Sequence, residues 1–269
     1  MYREFFGLRE NPFHITPDPR FIYFSKKHLE AFSMLLYGIE HRKGFVEITG
    51  EVGAGKTTLC RTLMEEIRGR FKTALIFNPN LSENQLLAAI VEDFGIVPRG
   101  RNKKDYFDSL NKFLIEEGKL GATAVLIIDE AQNLSARALE QIRLLSNLET
   151  DRDKLLQIVL VGQPELRDTL RSPELIQLRQ RIAIRYHLTP LDREETERYI
   201  LHRLKVAGAS EPIFSSDAFD VVYQYAQGIP RLINVVCDKA LLAGYVQEQR
   251  DITSALVEQA INEVEGALV

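Results

Sequence analysis

Cysteine, tryptophan and methionine are scarce in this sequence of 269 residues, which contains two cysteines, no tryptophan and three methionines. Cys60 and Cys237 show no CxxC spacing, and the five histidines are scattered along the chain. This pattern favours reduced, buried thiols over a zinc site or a disulfide framework.

Long apolar runs and an excess of basic charge are also missing. No stretch approaches the ~20 consecutive apolar residues of a membrane span, and the charged N-terminal segment lacks the apolar centre of a signal peptide. We therefore expect a cytoplasmic protein with no direct membrane span. The formal net charge of −4 gives no global basic field that would attract nucleic acid.

Short apolar runs alternate with longer amphipathic stretches up to Pro190, and only helical patterns follow. The alternation predicts a parallel sheet covered by helices on both faces. We predict an α/β domain over 1–190, in which 1–44 form an aromatic, proline-rich segment and a helix capped by Ser25, and a helical domain over 191–269.

The individual elements follow from the same patterns. The predicted strands are 45–49, 73–77, 124–128, 157–161 and 183–188. The predicted helices lie at about 56–68, 82–94, 103–117, 135–149, 164–170, 192–206, 216–227, 231–249 and 253–264.

Residues 50–58, GEVGAGKTT, match the phosphate-loop pattern G-x-x-x-x-G-K-[ST] between a predicted strand and a predicted helix. The glycines allow successive N–H groups to point at phosphates, and the helix N-terminus adds a positive dipole. We expect Lys56 to reach the β/γ-phosphates and Thr57 to ligate Mg²⁺. The motif therefore predicts Mg·ATP binding by Gly50, Glu51, Val52, Gly53, Ala54, Gly55, Lys56, Thr57 and Thr58.

Two carboxylates follow the apolar strand in AVLIIDE, residues 124–130. Asp129 is placed to hold the Mg²⁺ shell, and Glu130 is placed to polarise the attacking water as a general base. The alternative is a solvated helix cap. The phosphate loop upstream favours the catalytic interpretation, which predicts an ATPase.

The phosphate loop, the acidic pair and the helical C-terminal region together resemble an AAA+ ATPase. More narrowly, the chain resembles the ExeA/GspA group of type II secretion assembly ATPases and their relatives among the transposition AAA+ proteins. This resemblance implies a three-layer P-loop NTPase fold with a C-terminal all-helical lid, and ATP and Mg²⁺ as cofactors. Its carrying segments are 5–59, 125–134, 160–166, 178–191 and 228–241.

Further roles are implied by the resemblance alone. Gln163 stands where such proteins keep a polar sensor-1 residue, although it also suits the turn before Pro164. Arg179 and Arg181 stand where a finger is offered to a neighbouring subunit, the alternative being solvated arginines on a helix end. Arg231, in GIPR, resembles the sensor-2 arginine.

The N-terminal segment has an implied role as well. Segments of this kind run past the base of the nucleotide, so Pro12 and Phe13 are candidates for lining the adenine pocket. Packing of Phe13 in the core is an equally good interpretation.

The resemblance implies a homo-oligomeric motor or switch, a ring or filament with shared ATP sites, that serves secretion-complex or cell-envelope assembly. That group continues into a membrane span and a periplasmic region, so this sequence is a stand-alone member or an ATPase portion, and we expect an inner-membrane partner protein to recruit it. The alternative is a DNA-binding regulator of transposition type. The basic cluster 98–105, PRGRNKKD, is as typical of a solvated loop, so DNA binding is not favoured.

Overall fold

A five-stranded parallel sheet with the strand order β2-β3-β4-β1-β5 organises the larger part of the chain. The computed structural model describes residues 1–77, 79–148 and 154–266. The strands are β1 (Phe45–Gly50), β2 (Lys72–Ile76), β3 (Ala124–Ile128), β4 (Leu156–Gly162) and β5 (Ile182–Leu188). The helices are α1 (Tyr2–Phe5), α2 (Lys26–Glu40), α3 (Lys56–Glu66), α4 (Glu83–Asp93), α5 (Lys103–Lys119), α6 (Ala136–Leu145), α7 (Glu165–Leu170), α8 (Ile176–Arg181), α9 (Arg193–Val206), α10 (Ser216–Ala226), α11 (Pro230–Val246) and α12 (Ser254–Gly266).

The predicted strands and the α/β fold class are confirmed. β1, β3 and β4 are buried along their whole length because each has a strand on either side and helices over the sheet. The edge strands β2 and β5 keep exposed positions. Apolar runs therefore mark the three central strands most clearly.

The predicted helices are also confirmed close to their expected bounds, and residue 149, the end of one of them, lies outside the described residues. Ser25 caps α2 as expected, because its hydroxyl oxygen accepts a hydrogen bond from the His28 backbone N–H at 3.3 Å. The sequence patterns missed α1 and α8. Helices this short complete fewer than two turns, so no periodicity can be read from them.

The chain divides into two compact units. The sheet unit comprises residues 29–50 and 59–188, and the helical unit comprises residues 1–28, residues 51–58 and the chain from Thr189 onward. The domain boundary predicted near residue 190 stays a prediction.

The N-terminal segment packs on C-terminal helices inside the helical unit. Arg203 of α9 is 6% exposed, and its Nε and Nη2 donate to the carbonyl oxygens of Pro12 and His14 at 2.5 and 3.2 Å. The Tyr2 hydroxyl donates to Asp238 Oδ1 of α11 at 2.5 Å. These long-range bonds fix an otherwise irregular, proline-rich stretch.

Cys60 and Cys237 are both buried, as expected. Burial raises the pKa of the Cys237 thiol well above its ordinary value. Within the described residues, no helix has both the length and the apolar character that a membrane crossing requires.

Gly228 closes the turn before α11 where no other residue fits. Its φ of +74° lies in the left-handed region, and an added Cβ would meet the Leu191 carbonyl oxygen at 1.8 Å. The Leu191 N–H also donates to the Gly228 carbonyl oxygen at 3.0 Å. The start of α11 is therefore tied to the segment that leads into α9.

We expect Gly228→Ala to lower the free energy of unfolding by roughly 3 kcal/mol or more, because it combines backbone strain with a clash against main chain. Gly7→Ala is the matched control: its φ is +68° in the same unit, and nothing lies within 4 Å of an added Cβ. That control should cost only about 1 kcal/mol. Urea unfolding followed by circular dichroism measures both, and equal losses would contradict the steric role of Gly228.

Candidate nucleotide-binding site

The loop between β1 and α3 depends on three glycines. Gly53 and Gly55 have φ values of +80° and +95°, in the left-handed region that side chains rarely adopt. At Gly50, an added Cβ would lie 2.7 Å from the Leu188 carbonyl oxygen on β5. The curl of this loop thus requires glycine at each of the positions that the motif specifies.

The loop also closes on its own backbone. The Glu51 carbonyl oxygen accepts the Ala54 N–H at 3.1 Å and the Lys56 ammonium group at 2.9 Å. Lys56 is only 5% exposed. Since α3 begins at Lys56, the N–H groups of its first turn, where Thr57 and Thr58 lie, have no acceptors within the helix. The loop is therefore preformed as an anion cradle.

Two helices hold the loop from outside, all within the helical unit. The Arg231 backbone N–H of α11 donates to the Gly53 carbonyl oxygen at 3.2 Å. His28 Nε2, on α2, lies 3.0 Å from the Ala54 carbonyl oxygen. The side chain of Arg231 is exposed. The structure thus brings Arg231 next to the loop, and it adds His28, which the sequence analysis did not single out.

The acidic pair follows β3 in the sheet unit. Asp129 is 1% exposed, and its backbone N–H donates to the Ile76 carbonyl oxygen of β2 at 2.9 Å. Asp129 Oδ1 accepts the Glu130 N–H at 2.9 Å. Because β1 and β3 run parallel in one sheet, Gly50 and Asp129 both lie at its carboxyl edge.

Glu130 is held by two glutamine amides. Its Oε2 accepts hydrogen bonds from Gln132 Nε2 at 2.5 Å and from Gln163 Nε2 at 3.1 Å. Gln132 Oε1 accepts the Gln163 backbone N–H at 3.0 Å, which fixes the orientation of the Gln132 amide. Glycine at 162 leaves room for this contact, because an added Cβ would lie 2.8 Å from Gln132 Oε1.

These hydrogen bonds, which we call the glutamine clamp, join two predicted site residues, Glu130 and Gln163, with one that was missed, Gln132. Glu130 has a φ of +55°, in the left-handed region, and the amides fix its carboxylate in that conformation. The sequence offered one signal for Gln132: an amide two residues beyond the acid, too close for a helix partner but well placed for a tight turn.

The two candidate finger arginines have different surroundings. Arg181 Nη1 donates to Ser146 Oγ at 2.6 Å and to the Arg143 carbonyl oxygen at 3.4 Å. Arg143 lies in the last turn of α6, and Ser146 is the residue that follows this helix. For Arg179, the described part of the chain shows a bond only to its backbone: its carbonyl oxygen accepts a hydrogen bond from Arg185. Arg179 is partly exposed as a residue.

Phe13 lies in the core of the helical unit. It is 1% exposed, and its ring packs edge-on against Phe214 with the centroids 6.1 Å apart. The Pro12 carbonyl oxygen is occupied by Arg203. Contact of Pro12 and Phe13 with an adenine base stays a prediction.

The residues present fit Mg·ATP on two observations. A preformed loop with positive-φ glycines and a lysine at its base is suited to polyphosphate. Thr57 and Asp129 offer a hydroxyl and a carboxylate oxygen, the ligand types that Mg²⁺ prefers alongside phosphate.

Comparison with known proteins supports this view. Residues 39–170 match the model of the AAA domain. The chain is 45% identical over 267 residues to general secretion pathway protein A of Aeromonas hydrophila. This alignment covers 99% of this chain and 49% of that protein. The chain thus spans about half the length of the curated relative that it matches.

Solved structures with low sequence identity share the fold. The Aeropyrum pernix ORC2 protein, in its ADPNP–ADP complexes, gives a TM-score of 0.68 at 18% identity, covering 92% of this chain and 72% of that one. The Thermotoga maritima RuvB Holliday junction branch migration motor gives 0.56 at 20% identity, with coverages of 90% and 69%. The predicted fold, an AAA+ P-loop NTPase with C-terminal helices, is confirmed.

We expect Gln132→Ala to lower ATP turnover roughly 10-fold while nucleotide affinity changes little, because a loosened general base loses part of its typical ~10²–10⁴-fold worth. Asn133→Ala, an exposed neighbour, is the control. Steady-state kinetics separates kcat from KM. An unchanged kcat, or an equal loss in both variants, would show that the glutamine clamp does not position Glu130.

Proposed function

We propose that this chain, which matches the AAA domain over residues 39–170 and is similar to general secretion pathway protein A, binds Mg·ATP and hydrolyses it. The observation that carries the proposal is the loop over residues 51–58, whose glycines, self-bonded backbone and buried Lys56 form a preformed phosphate cradle. Such a cradle has no evident purpose in a protein without a polyphosphate ligand.

Binding is the task of the loop and the first turn of α3. Backbone N–H groups of the loop, that of Gly55 among them, would hold the phosphate oxygens, and the Lys56 ammonium group, which bonds the Glu51 carbonyl oxygen, would reach the β/γ-phosphates. Thr57 would offer a hydroxyl oxygen to Mg²⁺, and Asp129 would offer a carboxylate oxygen. When bound, Mg·ATP supplies the phosphoanhydride bond and the divalent charge that screens its oxygens.

Turnover is the task of Glu130 and Gln163. The Glu130 carboxylate takes a proton from the water that attacks the γ-phosphorus. Its Oε2 accepts hydrogen bonds from the two glutamine amides. Gln163 therefore acts on the general base, in addition to the sensor-1 role that the resemblance implies.

We propose that the site is completed by a neighbouring subunit through Arg179. α8 leads into β5 at the amino edge of the sheet, whereas Gly50 pairs with Leu188 at the carboxyl edge, roughly 20 Å of strand away. The Arg181 guanidinium bonds Ser146, whereas Arg179 is partly exposed. An arginine offered in trans stabilises charge on the transferring phosphoryl group.

The cellular role that we propose follows the name of the relative: an oligomeric ATPase that serves the general secretion pathway or cell-envelope assembly. The chain would work at the cytoplasmic face of the inner membrane, recruited there by a partner protein. DNA binding has weaker support, since the net charge is −4 and Lys103 of the basic cluster is paired with Glu83 at 2.8 Å.

Lys56→Ala should remove most ATP affinity, because the ammonium group faces the β/γ-phosphates. Glu130→Gln should keep nucleotide binding while turnover falls by roughly 10²-fold or more, the usual worth of a general base. Titration with a fluorescent nucleotide and a phosphate-release assay measure the two effects. Equal loss of binding in both variants would mean that Glu130 has been given the wrong role.

If the ATP site is shared between subunits, mixing two inactive variants should restore ATP turnover. Lys56→Ala and Arg179→Ala should each be nearly inactive, and a 1:1 mixture should regain roughly a quarter of the wild-type rate, because a quarter of random interfaces join an intact loop to an intact finger. Specific activity should also rise with protein concentration. Activity that does not depend on concentration, together with no rescue by folded variants, would rule the shared site out.

Arg181→Ala is the matched control for that experiment. It removes the donor to Ser146 Oγ, so we expect it to lower the free energy of unfolding by about 1–3 kcal/mol. It should retain turnover when fully folded. Loss of turnover with intact stability would move the finger from Arg179 to Arg181.

A further inference from the structure

We propose that His28 is a positioning residue for the phosphate loop: it holds the Ala54 carbonyl group and so aims the Gly55 N–H at the bound phosphates. The inference rests on the proposed function, since it assigns a residue that prepares the same nucleotide site. His28 is the third residue of α2, far from the motif in sequence, and only 5% of its surface is exposed.

Hydrogen bonding determines which nitrogen of the imidazole carries the proton. The Ala54 carbonyl oxygen can only accept, so Nε2, at 3.0 Å, must donate. Ser25 Oγ, at 2.8 Å from Nδ1, accepts the His28 backbone N–H and therefore points its own proton at Nδ1. The imidazole is thus neutral, and both of its nitrogens are hydrogen-bonded. Burial lowers the pKa of His28 below its ordinary value, although the hydrogen bond to Ala54 and the charge of Glu195 act to raise it.

The effect on the loop follows from the geometry of a peptide unit. In a planar trans peptide, the C=O and the next N–H point in opposite directions. Because His28 draws the Ala54 C=O toward α2, the Gly55 N–H is turned to the opposite side of the loop. The ring also lies against Gly55, where an added Cβ would approach Nε2 to 3.1 Å. His28 thereby limits both the direction and the displacement of this peptide.

The first turn of α2, which carries His28, is itself held in place by a hydrogen bond to α9. The Lys26 N–H donates to Glu195 Oε1 of α9 at 3.1 Å. Glu195 Oε2 accepts the Asp192 N–H at 3.3 Å, and Asp192 Oδ1 accepts the Glu195 N–H at 2.7 Å, which together cap α9. All these residues belong to the helical unit, as do residues 51–58. The orientation of the loop therefore depends on the first turns of α2 and α9.

The test compares two substitutions that differ in reach. The amide nitrogen of glutamine can take the place of Nε2, whereas asparagine reaches only as far as Nδ1. We expect His28→Asn to weaken ADP and ATP binding alike, roughly 10-fold, because one hydrogen bond to charged phosphate is misdirected. His28→Gln should stay within about three-fold of wild type, and kcat at saturating ATP should hold in both, since Glu130 is untouched.

His41→Asn is the matched control, because His41 also bonds a backbone carbonyl, that of Tyr37 at 3.1 Å, but on the exposed end of α2. If His28→Asn does not fold, Ser25→Gly and Ser25→Thr replace it. Glycine still serves as a helix cap at little cost in stability, yet it removes the hydroxyl beside Nδ1 and so leaves the ring free to adopt the other tautomer. Only the glycine variant should weaken nucleotide binding.

The outcomes separate the two proposals. Full affinity in His28→Asn, or equal losses in His28→Asn and His28→Gln, would overturn the positioning role while Lys56→Ala still abolishes binding. No measurable nucleotide binding by the wild-type chain would overturn the proposed function and this inference with it. An affinity loss confined to His28→Asn and Ser25→Gly would establish the positioning role of His28.

Discussion

A planar peptide unit cannot aim its C=O and its N–H independently, and the loop between β1 and α3 is built on that constraint. Its glycines permit the curl but do not choose among the many conformations open to them. The choice is made by bonds to carbonyl groups: Glu51 is occupied by Ala54 and Lys56, Gly53 by Arg231, and Ala54 by His28. These bonds fix the orientation of the peptide units in the loop.

The fold could be predicted almost completely from the sequence because its strands have an unambiguous signature. β1, β3 and β4 are buried throughout, so each appears as a mainly apolar run, uninterrupted in β3 and broken only by Glu47 and Thr49 in β1 and by Gln157 in β4. α1 and α8 were missed because their periodicity is too short to read. The attachment of the N-terminal segment to α9 and α11 was not predictable either, since it rests on Arg203 and Tyr2, whose partners are distant in sequence.

The site divides in the same way. The loop and the acidic pair could be predicted from the sequence, because their chemistry requires particular residues at fixed spacing. His28 and Gln132 act through single hydrogen bonds that no spacing rule encodes. The sequence nevertheless contained one signal for the role of His28. Ser25 and His28 occupy the two positions of a capping box, and histidine stands where glutamate or glutamine is usual. An unexpected residue at such a position indicates that its side chain has another partner.

The bond between the Arg231 N–H and the Gly53 carbonyl oxygen has a consequence for biosynthesis. The ribosome releases the loop, and His28 before it, long before α11 has been made. A nascent or truncated chain that ends ahead of Arg231 carries the complete phosphate-binding motif but lacks one of its two outside supports. We therefore expect the loop to reach its final conformation only after α11 has been translated and has packed against Gly53.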